Sequence, residues 1–155
     1  MTRATSVLPL DLKGLRAAIT GAAAGIGKVM ADSFARCGAN VFISDIDERA
    51  LAASGHRGMR ADAGSLSDLE AFMDAALAHL GGLDVLINNA GVAGPTKRVE
   101  ELTAQELEAT LRIDLESQFH CARRAIPALR QAGGGSIVNL SSAAGKLGFA
   151  LRSPY

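Results

Sequence analysis

The chain has 155 residues, enough for one domain with a sizeable core, and 48% are hydrophobic against 21% charged, which excludes a disordered chain. Lys+Arg and Asp+Glu number 16 each, so no basic balance points to nucleic acid or an anionic membrane. Cys37 and Cys121 show no metal or disulfide spacing and read as small buried apolar residues of a reducing compartment. No apolar run is long enough for a signal peptide or a membrane span, and a soluble, cytoplasmic protein is expected.

Residues 1–14, with Pro9, read as a leader, and residues 15–155 as the folded domain. Leu15–Ile19 forms a short apolar strand, followed by Thr20-Gly21-Ala22-Ala23-Ala24-Gly25-Ile26-Gly27. A helical pattern then places Ile26, Val29, Met30 and Phe34 on one face and stops at Gly38. Asn40–Ser44 is a second buried strand ending at Asp45. A short helix over 48–54 leads to a weak third strand, Gly58–Ala61, that ends at Asp62. Ser67 with Glu70 has capping-box spacing for a helix in which Leu69, Phe72, Met73, Ala76, Leu77 and Leu80 recur before Gly81.

Asp84–Ile87 is the fourth strand and runs into Asn88-Asn89-Ala90-Gly91. After a loop with Gly94 and Pro95, Thr103 and Glu106 form a second capping box, with Leu102 and Leu107 placed as a hydrophobic staple. The helical pattern continues to about Gln131 with Leu115, Phe119, Ala122, Ile126 and Leu129 on one stripe. Pro127 costs about 3 kcal/mol in a regular helix, so a kink is expected there. Gly133–Gly135 ends the helix, Ser136–Leu140 is a fifth strand, and Ser141-Ser142 opens a loop reaching Tyr155. Alternating strands and helices predict an α/β fold: a doubly wound, Rossmann-type parallel sheet in the order 3-2-1-4-5.

In such a sheet, ligands bind beyond the carboxyl ends of the strands. Gly21, Asp45, Asp62, Asn88-Asn89 and Ser141-Ser142 each directly follow one of the expected strands, so they should share one edge. Gly21, Gly25 and Gly27 allow a tight turn and a close approach of pyrophosphate to a helix N-terminus near Ile26, although a purely structural turn uses glycines too. Asp45 stands where a carboxylate accepts hydrogen bonds from both ribose hydroxyls and repels a 2′-phosphate. Its competing reading is a helix N-cap. Asp62-Ala63 fits contact with an adenine amino group or a capped turn, and Asn89 with Gly91 fits close packing against a cofactor or an ordinary turn. His56, His79 and His120 stand apart from metal-like partners and read as surface or satisfied helical residues; no metal site is expected.

Thr20-Gly21-x-x-x-Gly25-Ile26-Gly27, Asn88-Asn89-Ala90-Gly91, and Ser142 standing thirteen residues before Tyr155 together resemble the short-chain dehydrogenase/reductase family from Leu15 onward. The resemblance implies a nicotinamide cofactor. NAD is favoured over NADP because Asp45 carries a carboxylate and no arginine stands at Ala24 or Ile46. It implies that Ser142 polarises the substrate oxygen and that Tyr155, beside the cofactor, acts as general acid/base. It also implies a small alcohol or ketone as substrate and a homo-oligomer paired through the helix containing Phe119.

Two departures bear on function. The family's lysine four positions beyond the tyrosine and its later strands are absent from these residues, so activity is expected only in a longer chain. The family's helix asparagine corresponds to Asp114, which accepts but cannot donate when ionised; Asp114 reads equally as a helical surface acid. The expected function is hydride transfer between NAD and a secondary alcohol or ketone. The alternatives are a non-catalytic nucleotide-binding or interaction module and an NADP-dependent reductase.

Overall fold

A computed structural model describes residues 10–155. Most of the expected leader, residues 1–9, lies outside the described residues. Leu12, at its end, donates its N–H to the Cys37 carbonyl at 2.8 Å and packs against the core.

Five parallel strands, β1 (Arg16–Ile19), β2 (Asn40–Asp45), β3 (Arg57–Arg60), β4 (Val85–Asn88) and β5 (Ser136–Asn139), lie in the order β3-β2-β1-β4-β5. The central strand is also the most buried: Ala17, Ala18 and Ile19 are each 0% exposed. Ala17 faces Val41 on one side and Val85 on the other. Parallel strands covered on both faces read as continuous apolar runs, which is why these strands stood out in the sequence.

Helices α1 (Gly25–Arg36), α2 (Glu48–Ala53), α3 (Leu66–Leu80), α4 (Ala104–Leu111), α5 (Ser117–Gln131) and α6 (Ala144–Leu147) connect and follow the strands. On one face Phe72 and Met73 of α3 and Cys121 and Ala125 of α5 pack on the sheet. On the other face, Ala31 of α1 packs with Ile19, Val41 and Ile43.

Several local expectations change. The α3 cap is Ser65, whose hydroxyl accepts from the Asp68 N–H at 3.3 Å; Ser67 lies inside the first turn, so no box forms with Glu70. The Thr103–Glu106 box is present at α4, but Leu107 is exposed, so a staple with Leu102 buries little. The long helical stretch is not uniform. Arg112–Glu116 winds as a π-helical turn between α4 and α5, and α5 then runs through Pro127 as one helix.

The buried line of α5 is Ser117, Cys121, Ala125 and Leu129; of the expected stripe, Leu129 is buried and Ala122 packs against the core, whereas Leu115, Phe119 and Ile126 are exposed. Leu115 and Phe119 are 62% and 65% exposed. Small side chains at every fourth position let the helix lie close to the sheet and α3, and the bulkier ones turn outward.

Candidate active site

Winding reverses between β1 and β4, and an opening forms where the chain leaves those two strands in opposite directions. A clasp holds this point together. The Thr20 hydroxyl accepts from the Asn89 and Ala90 N–H groups at 3.0 and 3.1 Å. The Asn89 side-chain amide donates to the Thr20 and Gly21 carbonyls at 3.0 and 2.7 Å. A Cβ on Gly27 would stand 2.3 Å from the Gly21 oxygen and 2.5 Å from Asn89 Nδ2, so α1 can reach the clasp only through glycine. Gly21 itself has φ +61°, a left-handed conformation that glycine adopts without strain.

Two adjoining clefts open on this edge and share the wall Asn89–Val92. The first, of about 260 Å³, is bounded by Gly21, Asp45, Asp62, Ala63 and Gly91. The second, of about 410 Å³, is bounded by Ile26, Gly91, Asp114, Ser142 and Tyr155. The residues singled out in sequence thus come together on one rim, with Asn89 and Gly91 common to both clefts. Gly25, at φ +55°, begins α1 next to Ile26, and neither Gly25 nor Gly27 lines either cleft.

The competing reading of Asp45 as a helix cap does not hold. Asp47 caps α2, accepting from the Arg49 and Ala50 N–H groups. Asp45 Oδ2 instead accepts from the Ala23 N–H at 3.0 Å and Oδ1 from the Asp47 N–H at 3.1 Å, which ties the carboxylate to the glycine turn. Asp62 does cap a turn, accepting from the Gly64 N–H at 2.8 Å, while it borders the same cleft.

The start of the first helix also faces this region. No side chain caps α1 and no acid stands in its first turn, so its leading N–H groups and positive dipole end are left for another acceptor. The first cleft thus carries two carboxylates, Asp45 and Asp62, and the second is bordered by Ile26 of the first turn of α1. Among the described residues no group of three or more His, Cys, Asp or Glu gathers as a metal site.

In the second cleft the π-helical turn presents Asp114. Its Oδ1 accepts from the Val92 N–H at 2.8 Å, while Oδ2 is buried without a partner. Burial pushes this carboxyl above the usual aspartate range, and the Val92 hydrogen bond opposes the shift. Gln118 donates to the Asp114 carbonyl at 2.8 Å and the Leu140 carbonyl at 3.3 Å, joining the turn to the end of β5. The Ser142 hydroxyl accepts from the Ala144 N–H at 3.2 Å.

Sequence reasoning passed over the bonds of the Thr20 hydroxyl to Asn89 and Ala90, Gln118 and the Asn88–Asn139 side-chain bond of 2.8 Å. The bonds that matter here, to Asn89 and Ala90, to Leu140 and to Asn139, span from 22 to 70 residues, so no local spacing could signal them. Two histidines match expectation, His56 with Nε2 2.8 Å from Asp32 and His79 exposed on α3 against the Phe42 ring; His120 departs from it, its Nδ1 buried without a partner.

Comparison with known proteins agrees with this arrangement. The short chain dehydrogenase family profile matches residues 16–155. The chain is 40% identical over 147 residues to cis-4-hydroxycyclohexanecarboxylate dehydrogenase of Sinomonas cyclohexanicum, covering 90% of this chain and 59% of that protein. It is 37% identical over 142 residues to D-threitol dehydrogenase of Mycolicibacterium smegmatis, covering 86% and 54%. The crystal structure of levodione reductase superposes with a TM-score of 0.86 at 27% identity, over 92% of this chain and 60% of that one. The chain therefore spans under two thirds of the length of these relatives. A match running from β1 to Tyr155, joined to the clasp and the paired clefts, makes this chain a member of the short-chain dehydrogenase/reductase family.

Proposed function

We propose that residues 15–155 form an NAD-binding domain and that the protein to which they belong transfers hydride between NAD and a secondary alcohol or ketone. Family membership implies a nicotinamide dinucleotide. The preference for NAD rests on one observation: the first cleft is bordered by the carboxylates of Asp45 and Asp62 and by no lysine or arginine. Asp45 would accept hydrogen bonds from the ribose hydroxyls and repel a 2′-phosphate, with Asp62 and Ala63 near the adenine. Gly21, Gly25, Ile26 and Gly27 would line the path of the pyrophosphate, and Asn89 and Gly91 would pack against the middle of the ligand.

Hydride exchange with the substrate carbon is the chemistry a nicotinamide supplies when bound. The chain's own residues would orient the substrate and move its proton. Ser142 would donate to the substrate oxygen, and Tyr155 would take the alcohol proton in oxidation and return one in reduction. Such general acid/base work is worth about 10²–10⁴-fold when the catalytic pKa is near the working pH. In the family a lysine four residues later helps to tune that value.

The relatives named above are dehydrogenases of small hydroxylated compounds, which supports a small alcohol as substrate. A second copy of the chain is the inferred partner of the α5 face carrying Phe119. The runner-up reading, a non-catalytic interaction module, draws on the exposure of Leu115, Phe119, Leu147 and Phe149. It leaves the convergence of Asp114, Ser142 and Tyr155 on one cleft without a purpose.

Titration calorimetry with NAD and NADP tests the assignment. Wild type should favour NAD, and Asp45→Ala should lose about 1.5–3 kcal/mol of that discrimination, the usual worth of a hydrogen bond to a charged group, or roughly 10–100-fold. Discrimination unchanged by Asp45→Ala would remove the role given to this carboxylate.

A further inference from the structure

We propose that Arg152 is a positioning residue that straps one wall of the second cleft to the turn carrying Tyr155. The Arg152 guanidinium donates through Nη1 to the Ala93 carbonyl at 2.9 Å and, more weakly, to the Gly94 carbonyl at 3.3 Å. Among the described residues no carboxylate lies within ion-pair distance of it. A charged donor on backbone carbonyls makes a stronger bond than a neutral one, so the charge of Arg152 is committed to the loop after β4. Ala93 borders the second cleft together with Tyr155 and Ser142.

Two further bonds close the strap. The Lys97 N–H donates to the Leu151 carbonyl at 3.1 Å, and the Tyr155 N–H donates to the Arg152 carbonyl at 3.0 Å. The loop therefore grips residues 151–152, and residue 152 directly holds the backbone of Tyr155. Leu151 sits at φ +62°, the one non-glycine residue with positive φ among the described residues. That conformation costs about 1–2 kcal/mol and persists only where its surroundings over-determine it. The bonds from Arg152 and Lys97 supply that constraint on either side of it.

The inference rests on the reading of Tyr155 as acid/base, since a reacting group misplaced by ~1 Å can lose ~10²-fold in rate. Its test does not depend on turnover. The chain has a single tyrosine and no tryptophan, so tyrosine fluorescence reports Tyr155 alone. In Arg152→Met, acrylamide quenching of that fluorescence should rise toward the value for N-acetyltyrosinamide, and its anisotropy should fall. Arg152→Lys, which keeps the charge and can reach a carbonyl, should restore part of the protection.

Arg124→Met serves as control, because it breaks a surface pair with Asp74 far along α5, and it should quench like wild type. If Arg152→Met does not fold by circular dichroism, Arg152→Lys and Arg152→Gln carry the comparison, with Gln the less protected. Quenching in a folded Arg152→Met equal to wild type overturns the strap while leaving the hydride-transfer reading intact. Loss of dinucleotide binding by wild type would do the reverse.

Discussion

A buried carboxylate oxygen without a partner is costly, and Asp114 Oδ2 is one. Because burial raises the Asp114 pKa, the folded chain holds a proton there that the unfolded chain has already released. The associated stability is full below the ordinary aspartate value of about 3.9 and is lost as pH rises through the higher folded value. Asp114→Asn stays neutral throughout. Its melting temperature relative to wild type should therefore climb as pH rises from the ordinary aspartate value through the higher folded one. A difference that does not change across this range would mean the carboxyl is effectively solvated. The position of Asp114 was legible only through the family pattern. Its burial was not, because the carboxyl is held by the Val92 N–H on Oδ1, from 22 residues away, and its other oxygen is left without a partner.

At the scale of the element, the start of α4 controls how firmly the loop after β4 is held. Lys97 Nζ meets Glu106 Oε1 at 2.5 Å, and Glu106 Oε2 accepts from the Thr103 N–H at 3.0 Å. Lys97 foremost, then the Thr103 N–H and hydroxyl, hold the Glu106 carboxyl down to about 2. A lowered acid contributes stability above its unfolded value, near 4.3, that is lost as pH falls toward the folded one. Acid unfolding of wild type should thus have a component between these limits that Glu106→Gln lacks, giving the variant a shallower dependence of melting temperature on pH. Parallel profiles would show that the lysine pair is fully screened, as exposed pairs often are.

The capping box was plain in the sequence because Thr103 and Glu106 need only each other. The π-helical turn was not, because an extra residue in one turn leaves the apolar spacing on either side readable as helix. The exposed part of the α5 stripe, Phe119 and Ile126, misled for a related reason. Size in the sequence says what is costly to expose, not which face can approach a sheet, and here Ser117, Cys121 and Ala125 make the approach.

Over the whole molecule the sheet separates function from stability by edge. Strand order and the gathering of Gly21, Asp45, Asn89 and Ser142 on the carboxyl edge were legible, since each turn directly follows an apolar run. The opposite edge showed no motif, yet it holds the same two central strands together. Arg16 donates through Nε and Nη2 to both Asp84 oxygens at 2.8 and 2.7 Å and through Nη1 to the Gly81 carbonyl at 3.0 Å. The Arg16 guanidinium keeps the Asp84 carboxyl below the usual range. Asp84→Asn should therefore cost about 1–3 kcal/mol of stability, as expected for a charged hydrogen-bonding group. Because the clefts proposed to hold dinucleotide lie at the far end of the same strands, its affinity for NAD should stay within about twofold of wild type, as for independent distant sites. Denaturant unfolding and calorimetry on the same preparation check both halves. Affinity falling in step with stability would mean that the β1–β4 junction transmits strain along its length, and that the glycine turn and Asn89 depend on the foot of the sheet as much as on each other.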